Sequence, residues 1–354
     1  MRIPTIADRR ARVLGFLVLL GLLALGAVAC GGDQPQSSLD PEGPFAREAD
    51  ELWDLTFGIA AIIFFLVEAV LIFAIVRYRH RPGRRAAQFH GNTKLEVLLT
   101  AVPTLILAGI AVPTVQSIFK LAEEPSNALP VTVVAHQFWW QFEYPDQGIK
   151  TANELHIPTG RPVRVELKGA AADTVQPDES EVIHSFWVPR LAGTQDIVPG
   201  HTNYLLLEAD RPGVYLGQCK EFCGLSHANM RIRVIAQTPG DFSRWVGEQQ
   251  QPAAESELAA EGSRLFQEGD FAGGAPCSAC HALDASIDAQ PSIGPNLAHF
   301  ADRETFATIF ERTDENLSAW LAGPSDVKPG ARMPDLGLTQ EQIQALVAYL
   351  QSLE

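Results

Sequence analysis

The chain has 354 residues, of which 46% are hydrophobic and 19% are charged, and its formal net charge is −15. This length suffices for two or three domains, and the composition excludes collagen, a disordered chain and a disulfide-rich miniprotein. Nucleic acid is excluded as a partner because phosphate binding requires a basic face. After residue 118 there are 32 acidic and 16 basic residues. This acidic part either meets a basic protein partner or is simply kept soluble by its charge.

Residues 1–29 have the pattern of an export signal. Four arginines between residues 2 and 12 precede an uncharged apolar run, 13–29, which ends in small residues just before Cys30. This position is typical of a bacterial lipoprotein, in which Cys30 is acylated and becomes the mature N-terminus. The alternative is an uncleaved membrane helix, for which this run has the minimum length. Residues 30–50 are expected to form a tether.

Two longer apolar runs predict a transmembrane hairpin over residues 51–119. The runs, 55–76 and 97–118, are each long enough to cross a bilayer, which takes about 20 residues. We expect helices at about 54–78 and 95–118. The loop between them carries six basic residues and no acid. By the positive-inside rule this loop is cytoplasmic, and both flanks of the hairpin lie outside the cytoplasm.

Three residues inside the predicted helices indicate contacts with other helices. Pro103 and Pro113 lie in the second helix, and membrane helices tolerate proline where neighbouring helices satisfy the backbone. Glu68 lies in the middle of the first helix, where an acid is costly and is a functional candidate by default. We expect Glu68 to form a hydrogen bond to a neighbouring subunit.

After residue 127, short β-branched and aromatic runs alternate with Gly and Pro turns, which predicts a β-sandwich or barrel. The runs expected as strands are 131–135, 138–144, 154–158, 162–167, 182–188, 203–208, 213–216 and 230–235. The β domain is expected to cover residues 128–240. The polar segment 241–257 is predicted to be a linker, because it contains three consecutive glutamines followed by a proline.

A cluster of metal-binding residue types lies near the end of the β domain. Cys219, Cys223, His227 and Met230 fall within 12 residues, and sulfur with imidazole favours copper or zinc. A mononuclear blue copper site uses one cysteine, so the second cysteine allows two coppers that share both thiolates. His184, on a strand upstream, offers the second imidazole. Zinc would leave Met230 without a role, and a disulfide is the other alternative.

Cys277, Cys280 and His281 form the Cys-x-x-Cys-His signature of covalent c-type haem. The cysteines would form thioethers to the haem, and His281 would be the proximal ligand. Met333 is the expected sixth ligand. Apart from the initiator, the chain has two methionines, and both fall in metal positions. A zinc site is the alternative interpretation of this motif.

Residues 258–354 are expected to form an all-α domain. Thr339 and Gln342 have the spacing of a capping box, which opens a terminal helix. The expected apolar face of that helix contains Ile343, Leu346, Val347 and Leu350. The Cys-x-x-Cys-His motif, Gly-Pro-Asn-Leu at 294–297 and Arg-Met-Pro at 332–334 together resemble a class I cytochrome c domain.

Three motifs resemble subunit II of the haem–copper respiratory oxidases. They are Ala-His-Gln-Phe-Trp-Trp at 135–140, His-Ser-Phe-Trp-Val-Pro at 184–189 and the cysteine loop at 217–230. The resemblance covers about residues 50–240. It implies a cupredoxin Greek-key sandwich behind a two-helix membrane hairpin, with a binuclear copper A centre in the sandwich.

The resemblance also implies the ligands of that centre. Two cysteines would bridge the coppers, one histidine would bind each copper, a methionine would be a weak ligand, and a glutamate would give its backbone carbonyl. In this sequence these residues are Cys219 and Cys223, His184 and His227, Met230, and Glu221. The Glu221 side chain would face a magnesium site shared with subunit I. Quinol-oxidising relatives lack these ligands, so the resemblance favours a cytochrome c donor.

Glu96 lies in a segment, 92–103, that resembles the family segment whose acid sits at the mouth of a proton pathway. The alternative is an ordinary interfacial charge at a helix start. The chain is thus expected to belong to a proton-translocating cytochrome c oxidase in the bacterial plasma membrane. It would bind subunits I and III and contain no catalytic residue of its own.

Electrons would pass from a cytochrome c-type donor through haem c to copper A and on to subunit I, where oxygen is reduced to water. A copper A nitric oxide reductase subunit and a membrane-tethered electron carrier are the alternatives. In relatives with a separate soluble cytochrome c, the positions of Phe138 and His201 usually hold Trp and Arg. We therefore expect the donor to meet the haem domain, which docks over residues 138–140 on a flexible linker.

Overall fold

The computed structural model of the chain describes residues 34–80, 90–170, 182–253, 259–271, 274–290 and 293–354, together with the single positions 15, 18, 21 and 83. The predicted signal segment, except for the first three of those positions, lies outside the described residues. So do Cys30 and most of the basic loop of the hairpin.

Two long helices, α1 (Pro44–Tyr78) and α2 (Thr93–Ala122), form the hairpin. Both are long and apolar enough to cross a membrane, and the most apolar stretch of each is not buried within the chain. The start of α1 meets the end of α2, because Glu48 accepts a hydrogen bond from Ser117 at 2.5 Å and pairs with Lys120. The helices are therefore antiparallel.

The first helix begins ten residues before its expected start at residue 54. The prediction of a tether over residues 30–50 is therefore wrong from Pro44 onward. Hydropathy detects only the part of a helix that crosses the bilayer. The polar first turns of α1 lie outside the bilayer and are stabilised by contacts with the end of α2 and with the sandwich. In α2, Pro103 and Pro113 lie inside the helix as predicted.

The middle of the chain folds into two five-stranded sheets with strand orders β3-β2-β1-β5-β8 and β4-β10-β9-β6-β7. The strands are β1 (Leu129–His136), β2 (Trp139–Tyr144), β3 (Ile149–Ala152), β4 (Glu154–Pro158), β5 (Val163–Gly169), β6 (His184–Trp187), β7 (Thr194–Ile197), β8 (Asn203–Leu207), β9 (Gly213–Cys219) and β10 (Arg231–Gln237). Apolar residues of both sheets form one buried core. The predicted sandwich is confirmed, and β3 and β7 are strands that the sequence analysis missed.

Helix α3 (Pro239–Gln249) occupies most of the segment predicted as a linker. Its apolar face packs on the sandwich: Phe242 and Trp245 are buried, and the ring of Trp245 stacks on that of His156 with centroids 4.2 Å apart. The linker prediction for 241–257 is therefore wrong up to residue 249. The prediction relied on the polar composition of the segment and did not consider that Phe242 and Trp245 share one face of a helix.

The last domain is built from the helices α4 (Ala260–Glu268), α5 (Asp314–Ala322), α6 (Pro324–Val327) and α7 (Gln340–Leu350). The predicted capping box at Thr339 is present, and the four predicted core residues of α7 are buried. Helices α4 and α7 approach closely at Gly262, where an added Cβ would lie 2.1 Å from the carbonyl oxygen of Ala345. The described part of the domain also contains one short strand pair, β11 (Thr305–Phe306) with β12 (Phe310–Glu311).

A cluster of ion pairs joins the start of α1 to the sandwich. Glu42 is 8% exposed and accepts hydrogen bonds from the guanidinium groups of Arg190, at 2.9 Å, and Arg211. Arg47 pairs with Asp210. A carboxylate at this depth is tolerated because two cations compensate it. These contacts hold the hairpin and the sandwich in one relative orientation.

Candidate copper and haem sites

The sandwich brings His184 next to the cysteine loop because the strands that carry them are neighbours. Strand β6 begins at His184, β9 ends at Cys219, and Phe186 lies opposite Cys219 in the antiparallel pair. Sγ of Cys219 lies 3.9 Å from Nδ1 of His184 and 3.2 Å from the carbonyl oxygen of Glu221. His184 and Cys219 are both buried.

The loop after β9 folds back and completes the cluster. Sγ of Cys223 lies 3.9 Å from Sγ of Cys219, 3.7 Å from Nδ1 of His227 and 3.8 Å from Sδ of Met230. Met230 is fully buried at the start of β10. Both cysteines are free thiols, which contradicts the disulfide alternative. All six predicted ligands, with Glu221 through its carbonyl, are thus brought together.

The two cysteines shift each other's pKa in opposite directions. The hydrogen bond between the two sulfurs lowers the pKa of Cys219 to about 4; burial opposes this shift, and the neighbouring His184 adds to it. The same hydrogen bond, together with burial, raises the pKa of Cys223. A bound cation would stabilise both sulfurs as thiolates.

The donor set fits copper better than zinc. The ligand atoms of His184, Cys219 and Cys223 lie within 4.8 Å of one another, which is close enough for ions that share both sulfurs. A tetrahedral zinc site would be complete with two cysteines and two histidines. The thioether of Met230 would then have no function, whereas a weak methionine ligand is typical of copper sites.

An apolar cavity in the last domain collects the residues of the haem motif: Cys277, Cys280, His281 and Met333 all line it. Nδ1 of His281 donates a hydrogen bond to the carbonyl oxygen of Pro295 at 2.8 Å. This bond fixes the tautomer and leaves Nε2 for iron. Burial lowers the pKa of His281, which favours the neutral imidazole. The cavity fits a haem with His/Met ligation better than it fits a zinc ion.

One wall of the haem cavity belongs to the sandwich. Gln137, Phe138 and Trp139 line it together with Met333. The expected docking of the haem domain over the aromatic run is thus confirmed for Phe138 and Trp139. It is wrong for Trp140, which is fully buried in the sandwich core.

Two residues that the sequence analysis did not single out link the domains. The Lys328 ammonium donates to the carbonyl oxygen of Phe138 at 2.7 Å, and the Arg332 guanidinium donates to the side-chain oxygen of Gln137. Lys328 lies in a segment with the polar composition of a surface loop. The only signal for Gln137 was its place between His136 and the aromatic run.

Glu96 stabilises the start of α2. Its carboxylate accepts a hydrogen bond from the backbone N–H of Asn92 at 3.1 Å, and the Asn92 side chain accepts one from the N–H of Leu95. This reciprocal cap accounts for an acid at a helix start. The proton-pathway role of Glu96 and the subunit contact of Glu68 stay predictions.

Comparison with known proteins decides the family. Three family models match: "Cytochrome C oxidase subunit II, transmembrane domain" at residues 36–117, "Cytochrome C oxidase subunit II, periplasmic domain" at 129–237, and "Cytochrome c" at 259–354. Cytochrome c oxidase subunit 2 of Alkalihalophilus pseudofirmus is 36% identical over 348 residues, which cover 95% of this chain and 96% of that protein. The chain belongs to the cytochrome c oxidase subunit II family.

Two further relatives and one solved structure are also similar to this subunit. Cytochrome c oxidase subunit 2 of Bacillus sp. strain PS3 is 36% identical over 362 residues, which cover 95% of this subunit and 96% of that protein. Quinol oxidase subunit 2 of Bacillus subtilis strain 168 is 34% identical over 251 residues, 68% of this subunit and 75% of that protein. The crystal structure of the periplasmic domain of Bradyrhizobium japonicum subunit II is 28% identical, covers 35% of this subunit and 94% of that chain, and has a TM-score of 0.31.

Membership has direct consequences for this subunit. It is a component of an oxidoreductase complex in a membrane, it associates with subunit I, and its sandwich is the periplasmic domain of the family. The periplasmic domain implies copper A, and the C-terminal domain implies a haem. Residues 129–249 therefore form the copper domain, and residues 259–354 form the haem domain.

Proposed function

We propose that electrons enter the oxidase through this subunit. They pass from a cytochrome c-type donor through haem c to a binuclear copper A centre and on to subunit I, where oxygen is reduced to water with proton translocation. One observation carries the proposal: the candidate copper ligands converge beside a haem cavity whose wall the copper domain completes. The names of the curated relatives favour oxygen over nitric oxide as the acceptor.

The copper ligands have distinct roles in this proposal. Cys219 and Cys223 would hold both coppers through their thiolates, and His184 and His227 would each hold one of them. Met230 approaches from the buried side as the weak ligand. When bound, the copper pair accepts and releases one electron that is shared over both ions, and the rigid sandwich keeps the geometry nearly unchanged. These roles are supported by two imidazole Nδ1 atoms and one thioether that lie 3.7 to 3.9 Å from the two sulfurs.

Glu221 serves two partners in this scheme. Its carbonyl oxygen, 3.2 Å from Sγ of Cys219, is the backbone ligand of the copper centre. Its side chain is exposed and is available to a magnesium ion at the surface that meets subunit I. Cys277 and Cys280 would hold the haem by thioethers, with His281 and Met333 as its ligands, and a methionine ligand would raise its potential.

The proposal includes a location and an assembly. The copper and haem domains lie on the outer face of the bacterial plasma membrane, and subunit III and a cytochrome c donor complete the set of partners. Residues 1–29 would be the export signal, with Cys30 as the acylated N-terminus. The support is the basic loop between α1 and α2 and the apolar run before Cys30.

The experiment is purification of the intact complex with metal analysis, optical spectra and oxygen uptake driven by reduced cytochrome c. Cys219→Ser should lose both ions of the copper centre, keep the covalent haem and abolish oxygen uptake. Cys277→Ser should weaken or abolish covalent haem attachment and keep the copper, so each variant is the control for the other. Copper retained in Cys219→Ser, or a wild-type complex that consumes nitric oxide and no oxygen, would contradict the proposal.

A further inference from the structure

The copper and haem domains meet in a hydrogen-bonded contact beside both sites, here called the domain joint. It consists of Gln137, Phe138, Ser226 and Asn229 from the copper domain and Thr308, Lys328, Pro329 and Arg332 from the haem domain. Ser226 donates to the carbonyl oxygen of Pro329 at 2.5 Å, and Thr308 donates to that of Asn229. The cysteine loop and the segment that leads to Met333 therefore touch.

Lys328 anchors the joint. It is 3% exposed, and its ammonium donates to the carbonyl oxygens of Phe138 and Ala307, both at 2.7 Å, and to the Thr308 hydroxyl at 3.0 Å. An ammonium has three donors, and all three are used. If the domains separated, Lys328 would lose the Phe138 carbonyl and the burial that the copper domain supplies. Separation of the domains would leave this buried group without one of its acceptors, which is destabilising, so the contact favours the docked arrangement.

Gln137 connects the two sites through the joint. The guanidinium of Arg332, the residue directly before Met333, donates to the side-chain oxygen of Gln137. The side-chain nitrogen of Gln137 donates to the carbonyl oxygen of Cys223. Two hydrogen bonds and a few covalent bonds thus join Met333, the candidate haem ligand, to Cys223, the candidate copper bridge.

We infer that the domain joint is a fixed electron-transfer contact. Lys328 keeps the haem domain bound to the copper domain, and Gln137 is the positioning residue between Arg332 and Cys223. The inference rests on the proposed function, and it replaces the mobile donor domain that a flexible linker would provide. The transfer oxidises the haem iron and reduces the copper pair by one electron, with no bond formed or broken. The chain that leads to the haem domain is held on the copper domain by helix α3 and by Gln250, whose side chain donates to the Gln147 carbonyl at 2.7 Å.

The first test measures whether the haem domain must move. In the purified, metal-loaded complex, the haem is reduced photochemically and the rate of copper A reduction is followed with increasing glycerol. A fixed contact predicts a rate independent of viscosity. In Lys328→Met, the transfer rate should fall as viscosity rises, and hydrogen–deuterium exchange should become faster in residues 225–230 and 328–333. The matched control is Lys168→Met, on the outer face of β5, which should change neither the viscosity dependence nor the exchange. A wild-type rate that falls with viscosity would overturn the inference.

The second test removes the hydrogen bonds of Gln137 and leaves those of Lys328 in place. Gln137→Leu withdraws two hydrogen bonds, and we expect about tenfold slower haem-to-copper transfer from the lost positioning, with unchanged copper and haem spectra. Gln344→Leu, on the exposed face of α7, is the matched control. Equal rates in the two variants would refute the role of Gln137. A wild-type complex in which reduced haem never reduces copper A would instead refute the proposed function.

Discussion

Substitution of Gly294 by alanine should displace the proximal haem ligand. An added Cβ would lie 2.6 Å from Cε1 and 2.8 Å from Nδ1 of His281, whereas ordinary contact begins at 3.4 Å. The imidazole would have to retreat by about 0.8 Å, the difference between these distances, at an overpacking cost of about 1–3 kcal/mol. The retreat would also stretch the 2.8 Å bond from His281 to Pro295, which adds about 1 kcal/mol.

The assay compares the haem absorption spectrum and the denaturant midpoint of the purified complex with those of the wild type. Gly294 does not have a positive φ, so alanine meets no backbone penalty there and the effect isolates the contact with the ring. Gly247→Ala is the control, because that glycine lies in α3 with open space around it, and alanine should stabilise the helix by about 0.5–1 kcal/mol. A Gly294→Ala complex with wild-type spectrum and midpoint would refute the packing argument.

Three further changes test other parts of the subunit. Met230→Leu should leave both coppers bound but change the spectrum and potential of the centre, because a weak thioether ligand is lost; an unchanged potential would show that Met230 is not a ligand. Glu96→Gln should slow oxygen uptake while haem and copper reduction stay at the wild-type rate; wild-type turnover would leave Glu96 as a helix cap only. Trp245→Ala should destabilise the copper domain by about 3–5 kcal/mol in chemical denaturation, whereas a mobile linker would predict no change.

The strands of the sandwich could be predicted where apolar and polar residues alternate along the chain, because this alternation matches the burial of one strand face. In β5, Val163, Val165 and Leu167 are buried and the residues between them are half-buried, which is the period of a strand with one face in the core. Strand β3 was missed because it contains Lys150 and Thr151. Both are buried, and Lys150 contacts the haem domain: its backbone N–H donates to the Ala285 carbonyl at 2.7 Å, and its ammonium donates to the Ala289 carbonyl at 3.3 Å. The polar pattern of β3 reflects a neighbouring domain, and local periodicity does not contain that information.

The same distinction separates the copper ligands from the domain joint. Cys219, Cys223, His227 and Met230 share one loop, so their spacing restricts the geometry and the chemistry could be predicted from it. Lys328 and Phe138 are 190 residues apart, and neither residue type by itself indicates an interface.

A polar segment between two domains predicts a mobile haem domain, yet Phe242 and Trp245 suffice to fix α3 on the sandwich. The spacing of ligand residues in local motifs therefore predicts which cofactors this subunit holds. How the electron moves between them depends on a few buried polar contacts, because Lys328 and Gln137 determine whether the haem cavity and the cysteine loop stay together.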